Sequence, residues 1–194
     1  MTLRGRIALC AGPLRRLASD RRGASATEFA LLSPAFGLIL AGTLDFGASI
    51  FAQFGLNAAV SAGANYAIAN GSNLSSSGAA ALATTISKLA AGAQGAATVT
   101  GVASVNGGST TTTVGSVSSN SGSAAAADSC YCPTRSGATI TWGATATCGA
   151  ICPGGGYAGK FVSISASRRF TSFLGSYSFA PTGTLVSDTL VQVQ

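Results

Sequence analysis

The chain has 194 residues, of which 8% are charged and 47% hydrophobic, with a formal net charge of +6 and no histidine. That size leaves room for one modest domain beside a membrane segment. So little charge, with Gly, Ala, Ser and Thr dominating the middle, argues against a cytosolic enzyme, and the missing histidine removes the usual base of a serine or cysteine triad.

The charge is unevenly placed. Residues 1–22 hold Arg4, Arg6, Arg15, Arg16, Arg21 and Arg22 against Asp20, a local balance of +5, whereas the remainder carries +1. A basic leader abutting an apolar run reads as a positive-inside signal with a cytoplasmic N-terminus, and nucleic acid is not expected as a partner. The leader lacks an apolar core long enough for a cleaved secretory signal, and its small residues precede the apolar run rather than follow it. Cys10 follows Leu9, where lipidation wants a small residue, and nothing beyond the paired arginines supports a twin-arginine signal.

The apolar run extends from Ala24 to Leu44. A membrane-crossing helix needs roughly 20 mostly apolar residues, so the run is long enough to span. Its one charged residue, Glu28, lies near the cytoplasmic edge. A carboxylate in hydrocarbon costs on the order of a few kcal/mol, which marks Glu28 as a functional candidate. The plain alternative places it among the headgroups of an ordinary single-pass anchor. Ser25 or Thr27 is expected to cap the helix, with Thr27 and Glu28 in its first turn. Pro34 removes a backbone hydrogen bond and is expected to kink it. Ser33, Gly37, Ala41 and Asp45 recur at four-residue spacing and form an expected helix-packing face, against the simpler reading that small residues are abundant here.

Beyond Asp45 the pattern becomes amphipathic. Phe46, Ile50, Phe54 and Val60 are expected to form one buried stripe of a continued helix, which Asn70-Gly71-Ser72-Asn73 ends. Ala79 to Ala93 reads as a second, short helix with Leu82, Ile86 and Leu89 on one face. Within the Gly/Ser/Thr-rich region from Gly95 to Ala127, Ala97–Thr100 and Thr111–Val117 have strand character, and Ser118–Ala127 reads as loop. Gly159–Phe173 holds the clearest strand, with Arg168-Arg169 on a solvated edge. Phe179-Ala180-Pro181 breaks the chain, and Leu185–Val193 reads as a closing strand.

Cys130-x-Cys132 and Cys148-x3-Cys152 place four thiols close in sequence. Zinc ligand pairs are usually spaced two to four residues apart, and Cys-x-Cys is too tight for the common knuckle. If residues 1–22 stay cytoplasmic, these cysteines face the oxidising side, where disulfides persist. Two disulfides are expected; zinc, and free or intermolecular thiols, are the competing readings. Four cysteines allow three connectivities, and links between the two clusters are favoured because a Cys-x-Cys ring is strained. No paired carboxylates, Cys-x-x-Cys redox motif or phosphate-binding glycine loop accompanies them, so no enzyme, cofactor or small-molecule substrate is expected.

Arg22-Gly23-Ala24-Ser25-Ala26-Thr27-Glu28-Phe29 followed by an apolar helix resembles a class III, type IV pilin-like leader. ATEFALLSPAFGLILAGTLDFG (26–47) and FAQFGLNAAVSAGANYA (51–67) resemble the TadE-like pseudopilins of the tight-adherence (Tad/Flp) pilus system. The resemblance implies cleavage between Gly23 and Ala24 by a prepilin peptidase, Glu28 as the assembly glutamate, and matches at Pro34 and Asp45-Phe46-Gly47. Two positions where such chains often carry a basic residue hold Ala48 and Asn65, and the subtype stays open among TadE, TadF and TadG-like proteins. The expectation is then a pilin-like α+β protein: leader 1–23, transmembrane and spine helix 24–70, and exported head 71–194 with an antiparallel sheet. It would sit in a bacterial inner membrane, with the lipid bilayer, pilin subunits and the assembly machinery as partners. The alternatives are an uncleaved single-pass protein with a partner- or envelope-binding head, and an exported enzyme or metal-binding head.

Overall fold

The computed structural model describes residues 23–92, 98–173, 175 and 183–194. The basic leader over 1–22 and the expected break at Phe179–Pro181 lie outside the described residues. The architecture is α+β: a long apolar helix, a short helix and an antiparallel sheet. Two compact units divide the chain, Met1–Thr43 and Leu44–Gln194.

In the first unit the described residues after Gly23 belong to helix α1 (Ala24–Ala69), which continues through Pro34. Phe29, Leu31, Leu32, Phe36, Leu38, Ile39 and Leu40 are all exposed. A helix hydrophobic all round is stable only where an apolar medium or partner surrounds it. By length and composition α1 is able to cross a membrane, with a mean hydropathy of 1.7.

The second unit contains the later turns of α1, helix α2 (Ala79–Ala91) and a five-stranded antiparallel sheet. Its first three strands are β1 (Val99–Val105), β2 (Ser109–Val114) and β3 (Val117–Gly122). A lobe of short strands follows, in which β4 (Cys130–Tyr131) pairs with β7 (Thr145–Ala146), and β5 (Thr134–Ser136) with β6 (Thr139–Thr141). Strands β8 (Phe161–Phe170) and β9 (Gly183–Gln192) return to the main sheet, whose order is β3-β2-β1-β8-β9. Strict alternation buries Val99, Ala103 and Val105 of β1 and Val162, Ile164 and Ala166 of β8 beneath α1 and α2. Leu82, Ala83, Ile86 and Ala90 of α2 and Leu56, Val60 and Ala67 of α1 complete that core. Gly101 lets α2 approach closely, since a Cβ there would meet the Ser87 carbonyl oxygen and the Ala91 nitrogen.

Three expectations are corrected. Phe46, Ile50 and Phe54 are exposed rather than buried; α1 instead packs through Asp45, Ser49, Ala52, Leu56, Ala59, Gly63 and Ala67. Small side chains win there because the helix sits close to its neighbours: a Cβ at Gly63 would lie 3.3 Å from Ile86 Cγ2. Ser118–Ala127 is not loop but strand β3 followed by a 3-10 helix at Ala124–Asp128. Hydroxyl and amide groups hold that region in place of apolar burial: Thr111 donates to Asn120 (2.7 Å), and Thr113 pairs with Ser87 (2.7 Å) and Ser118 (2.8 Å). Arg168 is not on a solvated edge, because it is half-buried and pairs with Val99 of β1 and Leu185 of β9; Arg169, beyond the β1 ladder, is exposed.

Candidate functional site

The residues singled out from sequence fall along α1 and in the cysteine lobe. Gly23 is exposed immediately before α1, whose first residue is Ala24. Helix therefore begins two residues earlier than a Ser25 cap would allow, and no acidic residue lies in the first turn. Glu28 follows that turn and is exposed, as are Ser33, Pro34 and Gly37. Ala41 is half-buried.

Asp45 differs from the rest of its stripe. It is 4% exposed, and its Oδ1 accepts a hydrogen bond from the Phe173 backbone N–H at 2.6 Å. The carboxylate thus anchors the turn after β8, where the Ser172 hydroxyl also donates to the Gly175 carbonyl (3.0 Å). Phe173 itself projects outward and is 90% exposed. Nothing in the sequence reading flagged Phe173, because a lone aromatic in a Ser/Thr/Gly-rich turn carries no periodic signal.

The four late cysteines form two disulfides, Cys130–Cys148 and Cys132–Cys152, with Cα separations of 5.1 and 5.6 Å. Each bridge joins one member of the first cluster to one of the second. With the sulfurs bonded in pairs, they present no thiolate set for zinc. The lobe is further tied by the edge-on contact of Tyr131 with Trp142, ring centroids 6.2 Å apart. An open cleft of about 770 Å³ lies beside it, lined by Cys132, Arg135, Tyr157 and Gln192 among others. Arg135 is ion-paired with Asp188.

Asn106 is a second residue that sequence reading missed. Its amide nitrogen donates to the carbonyls of Ala126, Ala127 and Ser129, and its Oδ1 accepts from Phe161 N–H at 2.8 Å. The Asn106-Gly107-Gly108 turn between two β-rich runs was the available cue. Among the described residues, no three histidine, cysteine or acidic side chains converge as a metal site.

Residues 23–65 match the family model of TadE-like proteins. No curated protein and no solved structure matches the chain. The matched stretch holds Glu28, Pro34 and Asp45, and the family is structural rather than enzymatic. Over residues 23–65 this chain is TadE-like, a likeness that points to a Tad pilus-related membrane protein.

Proposed function

We propose that the protein is a pseudopilin that helps to assemble a Tad/Flp-type adhesive pilus. It is anchored by α1 in the inner membrane with its N-terminus cytoplasmic and its head exported. The observation that carries this reading is the order of parts within the TadE-like match: Gly23, a helix opening at Ala24, Glu28, and then a fully exposed apolar surface. The arginines of the leader and the disulfides of the head support the same orientation. In this scheme residues 1–23 are a leader removed by a prepilin peptidase, and residues 71–194 are the exported part.

Cleavage leaves the Ala24 amine as a cation close to the membrane. The Glu28 carboxylate of a neighbouring subunit neutralises it, so two charges that are costly in an apolar setting cancel when subunits stack. Ser33, Pro34, Gly37 and Ala41 then supply a face on which a neighbouring helix packs. The test is Glu28→Ala in the native host. We expect normal membrane insertion with lost piliation and lost co-purification of pilus components; unchanged piliation and co-purification would refute the role of Glu28.

A further inference from the structure

The exposed apolar surface of α1 does not stop where the head begins. Leu44, Phe46, Ile50, Phe51 and Phe54 are all exposed, and they follow directly on the apolar segment in sequence. Counted along the helix from Phe29, the first residue after Glu28, a hydrocarbon core of about 30 Å takes roughly 20 residues. That count passes Asp45 and ends close to Ile50. A carboxylate at such a depth is tolerated only when the protein itself satisfies it. Asp45 is buried and holds the Phe173 N–H, which leaves the Phe173 ring outward beside the same helical level.

Cations lie farther along the head. Phe170 packs with Ala52, so the end of β8 sits level with that part of α1, and Arg168 and Arg169 come just before it. The Arg168 Nε is buried without a hydrogen-bond partner, beside an open cavity of about 500 Å³ lined by Arg169, Thr100, Ser167 and Thr184. Lys88 borders an apolar groove with Phe51 and Phe54. The acids of the head lie elsewhere: Asp188 pairs with Arg135, and Asp128 accepts from Ser76 N–H. An aromatic surface at hydrocarbon depth with basic residues just beyond it is the pattern of an interfacial membrane contact.

We propose that the head docks on the far leaflet of its own bilayer. Phe46, Ile50 and Phe173 enter the acyl boundary, and Lys88, Arg168 and Arg169 face the phosphates of anionic phospholipids. The Asp45–Phe173 hydrogen bond positions the inserting turn while shielding the carboxylate from lipid. This inference rests on the membrane-anchored reading of α1, and its test separates the two.

The full chain is prepared with Trp142→Phe, adding either Phe36→Trp in the apolar segment or Phe173→Trp in the turn. Each variant then carries a single indole, the anchor reporter or the turn reporter, and the unaltered chain reports on Trp142. Each protein is reconstituted into phosphatidylcholine vesicles with and without phosphatidylglycerol, made from ordinary or brominated lipids. We expect bromolipid to quench the anchor reporter and the turn reporter roughly twofold or more, at every protein-to-lipid ratio, and to leave Trp142 bright. Quenching of the turn reporter should be stronger with phosphatidylglycerol. A quenched anchor reporter with an unquenched turn reporter overturns the docking and leaves the anchor standing; both unquenched overturns the anchor as well. Protection of the turn reporter that grows with protein-to-lipid ratio identifies a second copy as the occupant and also overturns the proposal. Equal quenching in neutral and anionic vesicles overturns the role of the cations.

Discussion

Asn106 joins segments that are distant in sequence. Buried at 3% exposure with φ at 48°, it ties the β1–β2 turn to the 3-10 helix before the cysteine lobe and to the start of β8. Truncation orphans the Phe161 N–H and removes the Asn106 donor from the Ala127 and Ser129 carbonyls, while Ala126 keeps the Ser129 N–H; alanine is also strained at that φ. Asn106→Ala is therefore expected to cost about 2–3 kcal/mol, read as a lower denaturant midpoint of the full chain in detergent. An unchanged midpoint would contradict this role. Asp128 offers a pH-dependent counterpart. Hydrogen bonds from Ser76, assisted by the charge of Lys160, hold its carboxyl below the ordinary value of 3.8. A depressed folded pKa contributes stability that is present above the unfolded value and lost as pH falls through the folded one. The stability difference between the native chain and Asp128→Asn should accordingly be present at neutral pH and vanish on acidification through that window. A difference that does not vary with pH would show that the Asp128–Ser76 contact contributes nothing through ionisation.

At the level of elements, the disulfides close loops with sequence separations of 18 and 20. Loops of this length correspond to about 3 kcal/mol of stabilisation each in the chain-entropy account. The lobe they close contains only short strands and few buried apolar residues, so they matter more there than in the sheet. Replacing Cys132 and Cys152 together with Ser should increase proteolysis within 130–158 while leaving cleavage within β1 and β8 unchanged; equal sensitivity in both regions would contradict a local role. The elements differ in how far the sequence disclosed them. Helix α1 was legible because its apolar run has one dominant requirement, and β8 because Val162, Ile164 and Ala166 alternate with serines. The face of α1 that meets the sheet was misjudged because large side chains dominate a periodicity count. Close packing instead selected Ser49, Ala52, Gly63 and Ala67, which left the aromatics outside. Strands β2 and β3 were hidden or blurred because Thr111 and Thr113 are buried through hydroxyl partners, which hydropathy does not register.

For the molecule as a whole, the two ends of the matched 23–65 stretch answer to different constraints. Around Glu28 the helix presents only exposed side chains, which under the proposed function meet lipid and neighbouring subunits. From Asp45 onward the same helix is a structural member of the head, and the acid of the Asp45-Phe46-Gly47 element is satisfied inside the chain. The helix that carries the proposed assembly residues was legible from the apolar run after Glu28, because membrane-spanning signals are written in local sequence. The Asp45–Phe173 contact was not, because it joins residues that only the folded sheet brings together. In the proposed function, residues 1–23 are removed so that the Ala24 amine and Glu28 can pair between subunits. N-terminal sequencing with intact-mass measurement of the protein purified from its native membrane tests it most directly. A chain beginning at Ala24 is expected; a chain that retains residues 1–23 would refute cleavage and leave an uncleaved single-pass anchor.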